Sequence, residues 1–179
     1  MSTLSLLVAI PFITSLLAFI FLSFLSGKTA KSFAFILSLL PLALLIYGQN
    51  EWLGKEINSP WLASLHINFF LSMDSLSLTF LYLIAIIIPI SILAVNPTSL
   101  SFSNIFFGLV LLLQGLLTLF FLARDLALFT IFWEAMLIPL YFIIHIWGGP
   151  KSHEASIKFL VYMIAGSALM VAAVLALFF

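Results

Sequence analysis

Long apolar runs alternate with short polar punctuation along the whole of this 179-residue chain. Six runs stand out: about Leu4–Leu25, Phe33–Tyr47, Leu76–Val95, Ile105–Leu122, Leu126–Trp147 and Ile157–Phe179. Roughly 20 residues rising 1.5 Å each cross the hydrocarbon core of a bilayer. The pattern therefore predicts an all-α integral membrane protein with six transmembrane helices. The second run is short for a crossing and is broken by Pro41. Lys28 and Lys31 mark the turn before it. Asn96-Pro97, Arg124-Asp125 and Gly148-Gly149-Pro150 punctuate the later spans, with Lys151–Ser156 read as a short loop. The first run lacks a positive n-region and a small-residue cleavage site, so it is expected to be a retained helix rather than a signal peptide.

Gly48 to Asp74 is the sizeable polar interruption, holding Glu51, Lys55, Glu56, Asn58 and Pro60. Within it Leu65, Ile67 and Phe69 alternate with His66 and Asn68, the period-two pattern of a half-buried strand. A small extramembrane hairpin is expected there. Asp74, ahead of the third span and followed by Ser75 and Ser77, reads as a helix N-cap.

Composition narrows the class further. Hydrophobic residues make up 65% and charged residues 7% of the chain, against about 25% charged in soluble domains. Cysteine is absent, which excludes disulfides and thiolate metal sites. Six basic residues balance six acidic ones, so no basic surface for nucleic acid exists. Phosphate-binding glycine loops, nucleophile elbows and dinucleotide fingerprints are missing as well. Lys28, Lys31, Lys151 and Lys158 fall on one side of the predicted topology, Lys55 and Arg124 on the other. By the positive-inside rule the N-terminus faces away from the cytoplasm.

The candidate chemistry lies in the fifth run, which holds one carboxylate, Glu134, five residues before Pro139. An ionised side chain at mid-membrane depth costs on the order of 2.5–3.5 kcal/mol on insertion scales, so such groups face a polar cavity or carry charge. On a helix Glu134, Tyr141 and His145 share one stripe, a carboxylate, a phenol and an imidazole in the order a proton path needs. The competing reading is a neutral carboxyl kept protonated by burial, with no transport role. Pro139 leaves the carbonyl of Ala135 without its helical donor, which is either an ordinary kink or a water-holding acceptor beside the carboxylate. Lys158, at the start of the last span, either snorkels to headgroups or tunes a carboxylate in the neighbouring helix. Ala165, Ala168, Ala172 and Ala176 form a small-residue ridge for close helix packing.

The segment FFLARDLALFTIFWEAMLIPLYFIIHIWGG from Phe120, with ASIKFLVYMIAGSALM after it, resembles the M-type (chain 4) proton-pumping subunits of respiratory complex I. Their D-L-x-L-F-x-x-F-W-E-x-M-L-[IV]-P-x-Y-F segment carries an essential membrane glutamate, and Glu134 occupies its position, with Met136, Leu137, Pro139 and Tyr141 in register. Lys158, Phe159, Tyr162 and Gly166-Ser167 match the following helix. Asp74-Ser75-Leu76-Ser77 departs from the family's D-G-[LI]-S by one residue.

The resemblance implies a proton-translocating membrane-arm subunit of an NADH–quinone oxidoreductase, with Glu134 transferring protons, Lys158 modulating its pKa, and Tyr141 and His145 along the path. It implies no cofactor in this chain, with flavin, iron–sulfur clusters and quinone in partner subunits, and other membrane-arm subunits and the lipid bilayer as partners. The location implied is a bacterial cytoplasmic membrane or an equivalent energy-transducing membrane. That family's fold has about fourteen helices, so this chain corresponds to the N-terminal part: residues 1–125 hold helices 1–4 and the 48–74 loop, and 126–179 hold helices 5–6, the start of a first half-channel. A fragment, a split-gene product that pairs with the remaining C-terminal part, and a degraded copy all fit that length. Subunits of multi-subunit cation/proton antiporters and of membrane-bound hydrogenases share the fold, and a non-conducting six-helix scaffold is the reading from another class.

Overall fold

Helix α5 (Ser103–Leu122) is the pillar of the structure, with α1 (Thr3–Leu22), α2 (Gly27–Ser38), α4 (Ser75–Ala94) and α6 (Leu126–Trp147) packed against it. The computed structural model describes residues 3–178, apart from 23 and 63–66. Helix α3 (Leu40–Trp52) continues α2, and α7 (Ser152–Phe178) packs along α6. About 61% of the apolar window of α5 is buried against only 6% of that of α7, which sets the pillar apart from the outermost helix.

Lipid tails are as apolar as leucine, so helices in a bilayer associate through close packing rather than through burial from water. Two glycines of α5 supply the closeness. A Cβ on Gly115 would stand 2.2 Å from Ser15 Oγ, and one on Gly108 would stand 3.2 Å from Phe19 Cα. Each allows α1 to lie directly on the α5 backbone, and Ala18, Leu22, Phe107 and Leu111 fill the contact.

Five helices among the described residues are long and apolar enough to cross a membrane, with α2 and α3 counted as one crossing over Gly27–Gly48. The expectation was six. Helix α1 is 20 residues long, and its described side chains, Phe12–Leu22, form an apolar stretch. The third, fourth and fifth predicted spans agree with α4, α5 and α6 to within about two residues, the usual scatter of helix ends.

Two starts were misplaced. Helix α2 begins at Gly27, so Lys28 and Lys31 sit in its first turns rather than in a loop. The Lys31 ammonium donates to the carbonyls of Leu93 (2.8 Å) and Val95 (2.7 Å), capping the C-terminal end of α4, where carbonyls lack helical donors. Helix α7 begins at Ser152, so most of the expected Lys151–Ser156 loop is its first turn. At the preceding turn the left-handed residue is Gly149 (φ 89°), not the capping Gly148 (φ −75°).

Pro41 breaks the second crossing as predicted, and Leu39 is its one non-helical residue. A proline cannot donate to the residue four back, and exposed backbone carbonyls are costly in hydrocarbon. Gln114, buried on α5, donates its amide to the Ser38 carbonyl at 3.0 Å. A small cavity lined by Thr14, Ser15, Pro41, Gln114 and Gly115 adjoins the break.

The polar interruption folds as the expected hairpin, β1 (Glu56–Leu62) antiparallel to β2 (Ile67–Ser72), in register Glu56↔Ser72 through Pro60↔Asn68, with an irregularity between Pro60 and Leu62. Of the alternating residues, Ile67 to Phe69 lie in β2, and Leu65 and His66 lie outside the described residues.

The turns fall into two sets. Trp147 Nε1 donates to the Ser101 carbonyl at 2.7 Å, and a Cβ on Gly27 would meet Ser103 Oγ, so the α1–α2, α4–α5 and α6–α7 turns share one end of the bundle. The hairpin and the α5–α6 turn share the other, joined by a bridge between Leu71 and Ala123. Lys28, Lys31, Lys151 and Lys158 all belong to the first end. A topology reporter inserted after Gly149 is expected to read cytoplasmic, and one after Gly54 external; the reverse pattern overturns the orientation drawn from the lysines.

Candidate functional site

The start of α6 is fixed by charges held outside the apolar slab. Asp125 N-caps the helix, its Oδ1 accepting from the amides of Ala127 (2.9 Å) and Leu128 (3.2 Å). Its Oδ2 accepts from the Asn68 amide of β2 at 3.2 Å. Arg124 pairs with Asp74 at 2.7 Å, donates through Nε to Ser72 Oγ at 2.9 Å, and gives its own amide to the Phe70 carbonyl at 2.9 Å. Asp74 in turn N-caps α4 through the Ser77 amide at 2.7 Å, the role its sequence context predicts. Arg124 and Asp125, more than punctuation between two spans, tie the hairpin, the start of α4 and the α5–α6 turn into one polar knot.

From that cap, Glu134 is nine residues along α6, or about 14 Å, and Trp147 lies about 20 Å further. The carboxylate thus sits near the middle of a core of about 30 Å. It is half-buried, on the flank between the buried side of α6 (Thr130, Leu137) and its lipid-facing side (Ile131, Ile138). Among the described residues its carboxyl makes no hydrogen bond or ion pair. Pro139 is buried inside α6 as anticipated.

The stripe predicted from spacing is drawn together at its outer end. The Tyr141 and His145 rings stack, with centroids 5.4 Å apart and planes at 21°. His145 Nδ1 lies 2.9 Å from Ser156 Oγ on α7, and the His153 ring lies 5.2 Å from that of His145. Lys158 is not brought to Glu134. Its ammonium pairs with Glu154 on the same helix, both side chains being over 60% exposed. Counted along the antiparallel helices, Lys158 lies about 9 Å inside the end of α7, roughly 11 Å short of the depth of Glu134. The row of α7 turned to α6 instead carries Ser156 and Ser167, both buried. Ser156 and His153 were missed because their partner lies across a helix turn; a helix wheel of α6 alone does not show it. No cluster of three or more metal-ligating side chains occurs among the described residues.

A half-buried carboxylate part-way along α6, in a bundle of helices long and apolar enough to cross a membrane, defines a multi-pass membrane protein with an ionisable group inside a span. Residues 123–179 match the family described as NADH:quinone oxidoreductase/Mrp antiporter, TM. The chain is 32% identical to the F420H2 dehydrogenase subunit M of Methanosarcina mazei, over 98% of this chain and 36% of that protein. It is 34% identical to an NAD(P)H-quinone oxidoreductase chain 4 of Picosynechococcus sp., over 95% of this chain and 34% of the relative. Respiratory complex I from Thermus thermophilus contains a chain that superposes with a TM-score of 0.76 at 26% identity, over 98% of this chain and 35% of that one. An archaeal membrane-bound sulfane sulfur reductase shares the fold, with a TM-score of 0.71 at 22% identity over 96% of this chain and 27% of its own. Over nearly its whole length the chain is similar to M-type, or chain 4, antiporter-like subunits, as its Trp-Glu-Ala-Met segment implied, and it spans about a third of the length of these relatives.

The polar knot yields a pH-dependent prediction. The Ser77 amide, then the Arg124 guanidinium, hold the Asp74 carboxyl well below the ordinary value of 3.8. A depressed carboxyl stabilises the fold above that ordinary value, and the contribution is lost as pH falls toward the folded one. The pair is partly exposed, 32% for Arg124 and 47% for Asp74, so solvent screening limits its worth to about 0–1 kcal/mol. Asp74→Asn keeps the capping oxygen and removes the charge. In detergent thermal melts it is expected to lower Tm by up to about 4 °C at pH 7, and the gap to the unmodified protein should close as pH drops below 4. A gap that stays constant with pH contradicts this assignment.

Proposed function

We propose that this chain is the N-terminal portion of a proton-translocating membrane-arm subunit of a quinone oxidoreductase, in which Glu134 accepts and releases a proton at mid-membrane. The observation that carries the reading is the placement of Glu134: an ionisable side chain about 14 Å from a fixed helix cap, inside the segment matched to the antiporter family. Such a group is costly in hydrocarbon and is retained where charge must move. Redox chemistry belongs on this reading to partner subunits carrying flavin, iron–sulfur clusters and quinone, while this chain couples to them through proton transfer alone. Its partners are the other membrane-arm subunits and the remaining part of the same subunit, in the bacterial cytoplasmic membrane or an equivalent energy-transducing membrane. Helix α1 supplies the sixth crossing, packed along α5.

Tyr141 and His145 continue the path from Glu134 toward the lysine-bearing end. The exposed Lys158–Glu154 pair favours an interfacial role for Lys158, whose influence on Glu134 then requires a change of rotamer or partner. The unpaired Glu134 carboxyl among the described residues, and the 6% burial of α7, fit a half-channel completed by further helices.

Glu134→Gln keeps the size and most hydrogen bonding of the side chain but cannot exchange a proton. In the assembled complex, quinone reductase activity and proton pumping are expected to fall together by about 100-fold or more, the scale of lost acid–base catalysis. Glu134→Asp should retain part of both. Glu154→Gln removes only a surface ion pair worth about 0–1 kcal/mol and should leave both intact. Rates in membrane vesicles, normalised to assembled complex on native gels, check this. Full activity in a normally assembled Glu134→Gln enzyme assigns the carboxylate a purely structural role.

A further inference from the structure

The α6–α7 turn holds a cluster whose hydrogen atoms can be placed by elimination. Ser156 Oγ is 2.9 Å from the His153 carbonyl and 2.9 Å from His145 Nδ1. A carbonyl only accepts, so the single hydroxyl hydrogen of Ser156 goes to His153. The serine oxygen must then accept from His145, which puts a hydrogen on Nδ1. In the neutral ring this leaves Nε2 as the free base. Ser156 is fully buried, with 0% exposure, so water does not compete for that oxygen. His153 is exposed, His145 half-buried, and Tyr141 is stacked on the inner side of the His145 ring. The three rings grade from water into the membrane along the flank that carries Glu134.

We infer that Ser156 is a positioning residue that locks His145 in the Nδ1–H tautomer, so that Nε2 takes up protons from the aqueous end of α6 and passes them toward Glu134. The inference rests on the reading of Glu134 as a proton-exchanging group. The proton arrives on the Nε2 lone pair and leaves from the same nitrogen. The Nδ1 hydrogen stays with Ser156, because that oxygen has no second hydrogen to hand on. Transfer through the ring is blocked while the Ser156 hydroxyl is committed to the His153 carbonyl. Tyr141 covers one face of the ring and excludes water from it, and His153 stands at the outer edge, on the aqueous side from which the proton comes.

The charged and titratable groups around His145 are few. Helix α6 contributes Tyr141, and Glu134 at about 16 Å along the axis. Helix α7 contributes His153 and the exposed Glu154–Lys158 pair, and the turn contributes Lys151. Helix α5 and strand β2 carry no titratable side chain on the described residues. A change in the pH profile on altering Ser156 is therefore attributable to the His145–His153 cluster.

Two readouts on the assembled complex test this. Nitrogen NMR of histidine-labelled protein is expected to show His145 as the Nδ1–H tautomer, and Ser156→Ala to convert it to a mixture with Nε2–H. In the same Ser156→Ala complex the pumping rate should fall about five-fold, the scale of one net hydrogen bond, with its pH–rate profile displaced. Ser156→Thr, which keeps the hydroxyl, should restore tautomer and profile, and His145→Gln should remove the pH dependence that Ser156→Ala shifts. An Nε2–H tautomer in the unmodified protein overturns the inference, as does an assembled Ser156→Ala complex with an unchanged profile. The NMR result does not depend on Glu134. An active Glu134→Gln enzyme with the Nδ1–H tautomer intact defeats the reading of Glu134 alone, while a normal Ser156→Ala profile beside an inactive Glu134→Gln enzyme defeats the inference alone.

Discussion

The ion pair between Arg124 and Asp74, together with the Asp125 cap beside it, ties the start of α6 to the hairpin and to the start of α4. A helix carries no internal mark of depth; its position along the bilayer normal is set by what holds its ends. Here one end of α6 is held by three hydrogen bonds to Asp125, two from its own first turn and one from β2. The adjoining arginine is gripped by Asp74 and Ser72. The hairpin thus acts as a collar, and the depth of Glu134 follows from the cap by counting residues. Moving the cap by one residue would shift the carboxylate by about 1.5 Å and rotate it, together with Tyr141 and His145, by roughly 100° away from their present neighbours.

Packing does the rest of the positioning. Helix α5 accepts α1 through Gly108 and Gly115, bonds to the α2–α3 break through Gln114, and presents its remaining surface to α4 and α6. The side chains that satisfy broken backbone are polar groups placed where hydrocarbon would otherwise leave a carbonyl bare. The polar side chains of α6 lie elsewhere, on the flank that meets α7 at its end. Pillar and flank are therefore chemically distinct: one is built for rigidity, the other leaves a titratable group with room for a partner.

Much of this was legible in the sequence, because hydropathy reports depth in a bilayer directly. The α4, α5 and α6 spans, the break at Pro41, the hairpin and the Asp74 cap all follow from local pattern and cap chemistry. The starts of α2 and α7 did not, since a first helical turn tolerates lysine and serine as readily as a loop does and its amides are unpaired in any case. Lys31 illustrates the difficulty: its carbonyl partners are 62 and 64 residues away. The partners of Arg124, Ser72 and Asp74, likewise lie far back in the chain. Glu134 could be singled out from cost alone, and the family motif agreed. The His145–Ser156 contact could not, because it depends on how two helices cross after the Gly148-Gly149 turn.

The central claim is that Glu134 changes its protonation state while the complex turns over. Difference infrared spectroscopy of the assembled complex, between its resting and turning-over states, observes this directly through the C=O stretch of protonated carboxylic acids. A carboxyl band that appears or disappears on turnover and is missing in Glu134→Gln is the predicted result. Identical carboxyl difference bands in the unmodified and Glu134→Gln complexes would contradict it.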